Sequence, residues 1–408
     1  MNHKVRIAYL LTSSLESPYG LGRCFPWARQ LAVMGHEVHI VALHHDLGSA
    51  TSRHFQQAGV WIHYAGQMHV RKVSDTTLYF NAPHLLRVVL SGTLGLVSQA
   101  IKIGADVYHI GKPHPQNGTA GLLAARWPGE RRLFLDCDDL EVRVNRFGGT
   151  WQQRGIAWLE DRLPAWVDGV TVHSRFLESR IQTLGVPQER ILRLPSGIDP
   201  ERFRPIPPAL GARWRQRLGL QDRRAITYVG TMSLVNHPVD LLLEAFAKLV
   251  PGIEDVVLML VGGGADLPDL ESLAGQLGIA ERCRFVGRVE PNAVPALLSL
   301  SYVTVDPVHD DLVARARWPL KIVESMAARV PVVTGNVGDR WEMLGKGAAG
   351  LVVEPGSSEA LADGLETILK DSFLHKQLVR GCRTQAAQYN VADLAQSLVA
   401  FYEQVTGK

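Results

Sequence analysis

The sequence predicts an α/β protein made of two doubly wound units, and three observations carry that expectation. Apolar runs of four to eight residues recur along the chain and alternate with amphipathic helical stretches, the pattern of parallel strands covered on both faces. The alternation breaks at Pro195–Pro208, a stretch with five prolines and no periodicity, and then resumes. A length of 408 residues suits two or three domains, and a 46% hydrophobic content fills their cores and excludes a disordered chain. Lys and Arg number 43 against 40 Asp and Glu, a net charge of +3. That balance argues against a dedicated nucleic-acid binder.

In order along the first half, Val5–Thr12 reads as a buried strand, followed by a glycine turn and a helix over Leu21–Met34. Further strands are expected at Glu37–Leu43, Asp106–Ile110, Arg132–Asp136, Gly169–Ser174 and Arg190–Pro195, with a helix at Thr119–Arg126. The most apolar stretch, Leu85–Ile103, carries Arg87 and Lys102 and reads as a packed helix, with an interfacial membrane contact as the lesser reading. In the second half, strands are expected at Ala225–Gly230, Val256–Gly262, Cys283–Gly287, Tyr302–Pro307, Val330–Gly335 and Gly350–Pro355. Helices lie between them at Pro238–Leu249, Asp266–Leu277, Asn292–Leu300, Leu320–Arg329 and Ser358–Asp371. Ligands of such sheets bind outside the carboxyl ends of the strands, and two facing units would enclose an interdomain cleft. The four cysteines are too far apart in sequence for a metal-binding pair and read as solitary thiols. Residues 1–200 carry 21 Lys/Arg against 16 Asp/Glu, a slight excess suited to an anionic or membrane-linked substrate.

Five short constellations stand at predicted strand ends. Gly20 and Gly22 in YGLGR let backbone amides approach an anion at a helix start, and equally suit a plain turn. Gly262 and Gly263 in VGGGADL favour the same close approach, with Asp266 as a helix N-cap. In RWPLKIVE, Pro319 opens a helix, and Lys321 and Glu324 project from one side of its first turn. A cation at a helix start opposes the macrodipole, unless an anion such as a diphosphate sits beside it; Glu324 suits a ribose diol. His109, Lys112 and His114 cluster at or past one strand end. Asp136 and Asp138 form a DxD pattern that would hold a divalent cation or serve as turn and capping groups.

Spans of both halves resemble the GT-B glycosyltransferases, specifically retaining glycosyltransferase family four. The resemblance rests on YGLGRCFPWARQLAVMGHEVHIVAL, VTVHSRFLESRIQTLGVPQERILRLPSGIDPERFRP, YVGTMS, LMLVGGGADLPDLESLA, CRFVGRV and PLKIVESMAARVPVVTG, in that order. It implies a first domain over 1–200 on the acceptor side, a nucleotide-sugar domain over 201–389, and a last helix near 390–408 returning to the first. It implies that Gly262 and Gly263 lie along the nucleotide, Arg288 near the base, Leu320 at the diphosphate, and Glu324 on the ribose. Glu324 matches the second glutamate of the E-x7-E motif, whereas the first falls on Ala316. The usual Arg and Lys on the diphosphate fall on Thr231 and His237, leaving Lys321 to substitute. His109, then His114, match the histidine that supports the reacting sugar. The fold implies no bound metal and no permanent cofactor, so Arg23, Lys112, His114, Asp136 and Asp138 are placed on the acceptor side.

The resemblance thus implies transfer of a sugar, with retention, from a nucleotide-diphosphate-sugar to a glycan, lipid-linked or small-molecule acceptor. Lys321, helix-start amides and the Gly20–Gly22 loop would face the departing phosphate, and His109 the sugar. The expected location is cytoplasmic, with a peripheral membrane contact on the inner face. A catalytically impaired binding protein is the alternative, suggested by Ala316 and Thr231. A nicotinamide-dependent oxidoreductase is a poor third, because the G-x-G-x-x-G pattern is missing.

Overall fold

Continuous apolar runs form two parallel sheets, each sandwiched by helices. A computed structural model describes residues 4–73, 76–127, 129, 131–145, 149–235 and 237–407. The chain divides into two compact units, each with its own sheet. The first unit contains the chain up to Gly197, the short segment Ala316–Trp318, and the chain from Val391 onward; the second contains Ile198–Arg315 and Pro319–Asn390.

Among the described residues, ten strands belong to the first unit: β1 (Arg6–Leu11), β2 (Glu37–His44), β3 (His54–Gln57), β4 (Val60–Gln67), β5 (Val70–Val73), β6 (Thr76–Tyr79), β7 (Val107–Gly111), β8 (Arg132–Cys137), β9 (Gly169–Val172) and β10 (Ile191–Arg193). Eight of them form one sheet in the order β10-β9-β8-β7-β1-β2-β4-β3, where only β3 is antiparallel to its neighbour; β5 and β6 form a separate hairpin. One face of the sheet is covered by the helices Ala82–Ile103, Pro115–Arg126, Thr150–Trp166 and Arg175–Thr183, which bury Leu96, Ala124, Leu163 and Leu177 in a common layer. The other face packs against the helix Phe25–Val33 and the final helix Val391–Thr406, through Trp27, Leu31, Phe401 and Tyr402. The sequence pattern misses the segment from β3 to β6, because β3, β5 and β6 are four residues long and the apolar residues of β4 are interrupted by polar ones. It also misses the helix Thr150–Trp166, whose interior Pro164 reads as a helix breaker.

The second unit holds β11 (Arg224–Val229), β12 (Val256–Val261), β13 (Cys283–Gly287), β14 (Ser301–Asp306), β15 (Val332–Gly335) and β16 (Gly350–Val353), all parallel. Their order is β13-β12-β11-β14-β15-β16. The order reverses at β11/β14, so the crevice for a ligand opens at the carboxyl ends of these two strands. The helix Val239–Leu249 shows how the unit is cored: Val239, Leu242, Leu243 and Phe246 are buried, and Asp240 and Lys248 lie at its ends.

Candidate functional site

In the second unit, the loops after β11 and β14 leave the sheet at the β11/β14 crevice. Asp306 ends β14 and is buried, with Arg340 Nε 2.9 Å from its Oδ2 and Lys321 Nζ 3.4 Å from its Oδ1. Burial pushes the Asp306 carboxyl up, but Arg340 and Lys321 pull it down further, to about 2, so it stays charged. Lys321 also stands 4.2 Å over the Tyr228 ring, and Tyr228 donates its hydroxyl to the Thr231 carbonyl at 3.0 Å. His237 lies close enough to help hold Asp306 ionised. Lys321 is only partly buried, in the first turn of the helix Leu320–Ala327. Pro319 is its N-cap and lacks an N–H, so the first donors there belong to Leu320 and the residues after it.

Glu324 lies one turn further along. Burial raises its pKa, with Arg202, 3.9 Å away, and Lys321 acting against the rise. A carboxylate in this setting benefits from hydroxyl donors. Lys321 and Glu324 thus present a cation and a hydrogen-bond acceptor from successive turns of one helix.

The glycines of this unit are needed first for the loops' own packing. At Gly262, φ is +142°, and an added Cβ would lie 1.8 Å from the Gly230 oxygen. Its N–H donates to the Gly287 carbonyl at 3.0 Å, so Gly262 can offer a ligand close approach but not its amide. Gly263 packs beneath Arg288, whose Cγ lies 2.8 Å from the position of an added Cβ. Asp266 is the N-cap residue of the next helix, but its side chain accepts from the Leu234 amide at 2.7 Å and so ties down the loop after β11. Thr231 is exposed at that loop's start.

In the first unit, the carboxyl ends of β1, β7, β8 and β9 gather a second polar cluster. Arg23 makes a bidentate pair with Asp136 at 2.6 and 2.7 Å, and also donates to the Leu194 carbonyl and to Ser196 Oγ. Tyr19 and Thr171 hydroxyls complete the Asp136 shell at 2.8 and 2.6 Å. Burial alone would raise Asp136; the Arg23 charge holds it well below the usual carboxylate range. Both residues are nearly inaccessible, so they brace strand ends and do not touch an acceptor, contrary to the sequence expectation.

His109 needs the same correction. It is 0% exposed, with Nδ1 2.6 Å from the Tyr402 hydroxyl and Nε2 3.2 Å from Thr171 Oγ1. Burial lowers its pKa to about 4. A neutral imidazole with both nitrogens occupied inside the sheet is a core group and has no atom for a sugar. Gly20 is also reassigned. The helical backbone already starts before it, its amide donates to Ser17 Oγ at 3.0 Å, and an added Cβ would strike the Leu15 oxygen at 2.2 Å. Gly20 and Gly22 lie within a π-helical turn, Gly20–Cys24, that runs on into the helix, so they do not open it as an anion loop.

Lys112 and His114 are partly exposed, whereas Asp138, also expected on the acceptor side from sequence, is buried. Lys112 has φ +76°, a left-handed conformation that non-glycine residues seldom adopt, and the Asn117 side chain holds it by donating to the carbonyls of Gly111 and Lys112. Its ammonium lies 2.7 Å from Glu141 Oε1 and 2.9 Å from Asp138 Oδ1, with Asp139 at 3.8 Å. His114 bridges Thr12 Oγ1, at 2.7 Å, and Glu141 Oε2, at 2.9 Å. Burial raises Asp138 to about 7 against the pull of Lys112, while Lys112 and His114 overcome burial and hold Glu141 well below its usual range. Asp138, Asp139 and Glu141 bring three carboxylates within reach of one point, but Lys112 already supplies the cation between them.

Sequence reasoning missed Asp306, Arg340, Tyr228 and Arg202 in the second unit, and Tyr19, Asp139, Glu141 and His173 in the first. Asp306 had a readable signal: a carboxylate closing an apolar strand. His173 directly follows β9; it is buried, and its Nε2 has no hydrogen-bond partner. Ala316 is fully buried with the first unit, and its carbonyl accepts from Ser174 Oγ at 2.7 Å.

Two family models match the chain: "Glycosyl transferase 4-like domain" over residues 23–197 and "Glycosyl transferases group 1" over residues 212–385. The chain is 32% identical over 262 residues to a GDP-mannose-dependent alpha-(1-6)-phosphatidylinositol monomannoside mannosyltransferase of Mycolicibacterium smegmatis, covering 62% of this chain and 66% of that protein. It is 28% identical over 222 residues to an alpha-D-kanosaminyltransferase of Streptomyces kanamyceticus, covering 54% of this chain and 56% of that protein. The matches therefore span little more than half to two thirds of these relatives' length. Among solved structures, a sucrose-phosphate synthase from Thermosynechococcus elongatus superposes with a TM-score of 0.80 at 20% identity, covering 99% of this chain and 100% of that one.

Proposed function

Because the chain belongs to the group 1 glycosyl transferases and has the GT-B fold, we propose that it transfers a sugar from a nucleoside-diphosphate carrier to an acceptor hydroxyl, with retention of anomeric configuration. The observation that carries this reading is the pairing of Lys321 with Glu324 beside the β11/β14 crevice of the second unit. Glu324 accepts hydrogen bonds from the ribose hydroxyls. Lys321 and the Leu320 helix start meet the diphosphate.

The chemistry follows from where charge develops. As the bond between the anomeric carbon and the phosphate oxygen breaks, its electron pair stays on the diphosphate and the ring carbon gains positive character. Lys321 stabilises the departing charge more than the bound ground state, which lowers the barrier. Arg340 keeps Asp306 ionised, and Asp306 in turn fixes the Lys321 ammonium. The acceptor oxygen attacks on the face the phosphate leaves, and its proton passes to the phosphate oxygen. Lys112 and His114 are the partly exposed polar groups of the first unit and the acceptor-side groups of this reading; Asp138 is buried behind them and holds the Lys112 ammonium. The acceptor is a glycan, a lipid-linked group or a small molecule. A relative named for GDP-mannose makes that the first donor to test.

The test is a panel of UDP-, GDP- and ADP-sugars, followed by chromatography of the released nucleoside diphosphate with and without candidate acceptors. Donor-dependent release supports the proposal, and NMR of the product gives the anomeric configuration. No release from any donor, or an inverted product, would count against it.

A further inference from the structure

We propose that the helical face of the first unit formed by Ala82–Ile103, Pro115–Arg126 and Thr150–Trp166 docks onto an anionic lipid bilayer. The inner sides of the three helices share one core layer, through Leu96, Ala124 and Leu163. Their outer sides therefore lie on one side of the unit, and they expose large apolar side chains among the charged ones. Leu86, Leu90 and Leu94 recur every four residues along Ala82–Ile103, so they form one stripe, and they are 60%, 55% and 69% exposed. Trp127, at the end of Pro115–Arg126, is 69% exposed. Trp151 and Trp158, seven residues apart on Thr150–Trp166, are 76% and 56% exposed. Exposed apolar side chains of this size, gathered on one helix layer, mark an interaction surface.

Charge selects the occupant. The helices Ala82–Ile103 and Pro115–Arg126 contain no Asp or Glu. Arg87, Lys102, Arg126, Arg154 and Arg162 are all exposed among these helices, against Asp161 as the exposed carboxylate. A second copy meeting this face by twofold symmetry would set the cationic patch against itself. Phosphate headgroups complement it, and leucines flanked by tryptophan and arginine suit the boundary between headgroups and acyl chains. Ala82–Ile103 is long and apolar enough to cross a membrane, but Val88, Gly92, Leu96, Ala100 and Ile103 are buried in the unit. It would therefore lie along the bilayer surface, over about 33 Å of its length.

The inference does not depend on the sugar chemistry. Its test is co-sedimentation of the full chain with vesicles of phosphatidylcholine alone or mixed 3:1 with phosphatidylglycerol. The protein should bind the anionic vesicles about tenfold more strongly than the neutral ones, more weakly at high salt, and with a blue shift of tryptophan fluorescence. Leu90→Glu/Leu94→Glu should lose about tenfold of that binding while keeping the parent melting temperature. If this double variant fails to fold, Trp151→Ser serves, with a smaller loss of binding and of the blue shift. Equal binding by parent and variants would overturn the proposal. So would absence of vesicle binding, including the case of a parent dimer on light scattering that the substitutions dissociate, which would assign the face to a second copy.

Discussion

Lys321 lies 3.4 Å from the Asp306 carboxylate and 4.2 Å over the Tyr228 ring, a cation held from two sides at the mouth of the second unit's crevice. The arrangement orients the ammonium and leaves it partly exposed; in the proposed function a diphosphate lies beside it. Lys321→Ala should weaken binding of nucleoside diphosphates roughly tenfold to a hundredfold and leave nucleosides nearly unaffected. Calorimetric titration with GDP, UDP and their nucleosides makes the comparison. An equal loss for both classes would remove Lys321 from the phosphate.

Glu324 should act on the other end of the nucleotide. Glu324→Ala is expected to weaken a nucleoside diphosphate about tenfold. A 2′,3′-dideoxy analogue should bind the parent and the variant alike, because it has no diol to lose. A variant that weakens the dideoxy compound as much would place Glu324 elsewhere.

The Arg23–Asp136 pair predicts a stability effect. Arg23→Met strands a buried carboxylate and should cost about 3–5 kcal/mol, whereas Arg23→Met/Asp136→Leu should recover most of that loss. Urea unfolding of the parent and the variants measures both. If the double variant is no more stable than the single one, the pair does not act as a unit.

Gly262 supplies a backbone test. At φ +142° an alanine is strained, and its Cβ would meet the Gly230 oxygen at 1.8 Å. Gly262→Ala should cost more than about 2 kcal/mol. An unchanged melting temperature would mean that the two loops do not approach so closely.

Acid should destabilise the first unit through His63. His39 and His54 each place a ring nitrogen 3.0 Å from it, and Gln99 Nε2 lies 3.2 Å away. Burial, then the neighbouring His39, His54 and Lys102, lowers His63 from 6.5 to about 4. Between those values the unfolded chain binds more protons than the folded one, so stability falls as pH drops from about 6.5 to 4, by up to about 3 kcal/mol. His63→Gln should flatten that slope relative to the parent in urea midpoints taken across the window. Asp138 works in the opposite sense. Its carboxyl is raised from 3.8 to about 7, so its contribution is lost as pH rises through that range. A His63 variant with the parent's slope would assign the acid sensitivity elsewhere.

The alternation of apolar runs and helical stretches was legible in the residues, because parallel strands covered on both faces must be apolar throughout. The helix that carries Lys321 and Glu324 was legible for a similarly local reason, and spacing along it sets their common side. The segment from β3 to β6 was not legible, since short strands, and one interrupted by polar residues, lack a clear period. His109 and Asp136 were misread as site residues because a polar side chain at a strand end looks the same in sequence whether it faces solvent or the next strand.

The amino-acid sequence by itself determined the two α/β units, the break between them, and the helix that carries Lys321 and Glu324, since each depends on neighbours along the chain. The tertiary structure alone decided which polar groups are accessible. Arg23, Asp136 and His109 are consumed by partners up to 293 residues away, and the Gly262 amide is taken by Gly287. Hydrogen-bond saturation and burial are properties of what packs around a group, and packing brings together residues whose separation in sequence carries no trace of their contact.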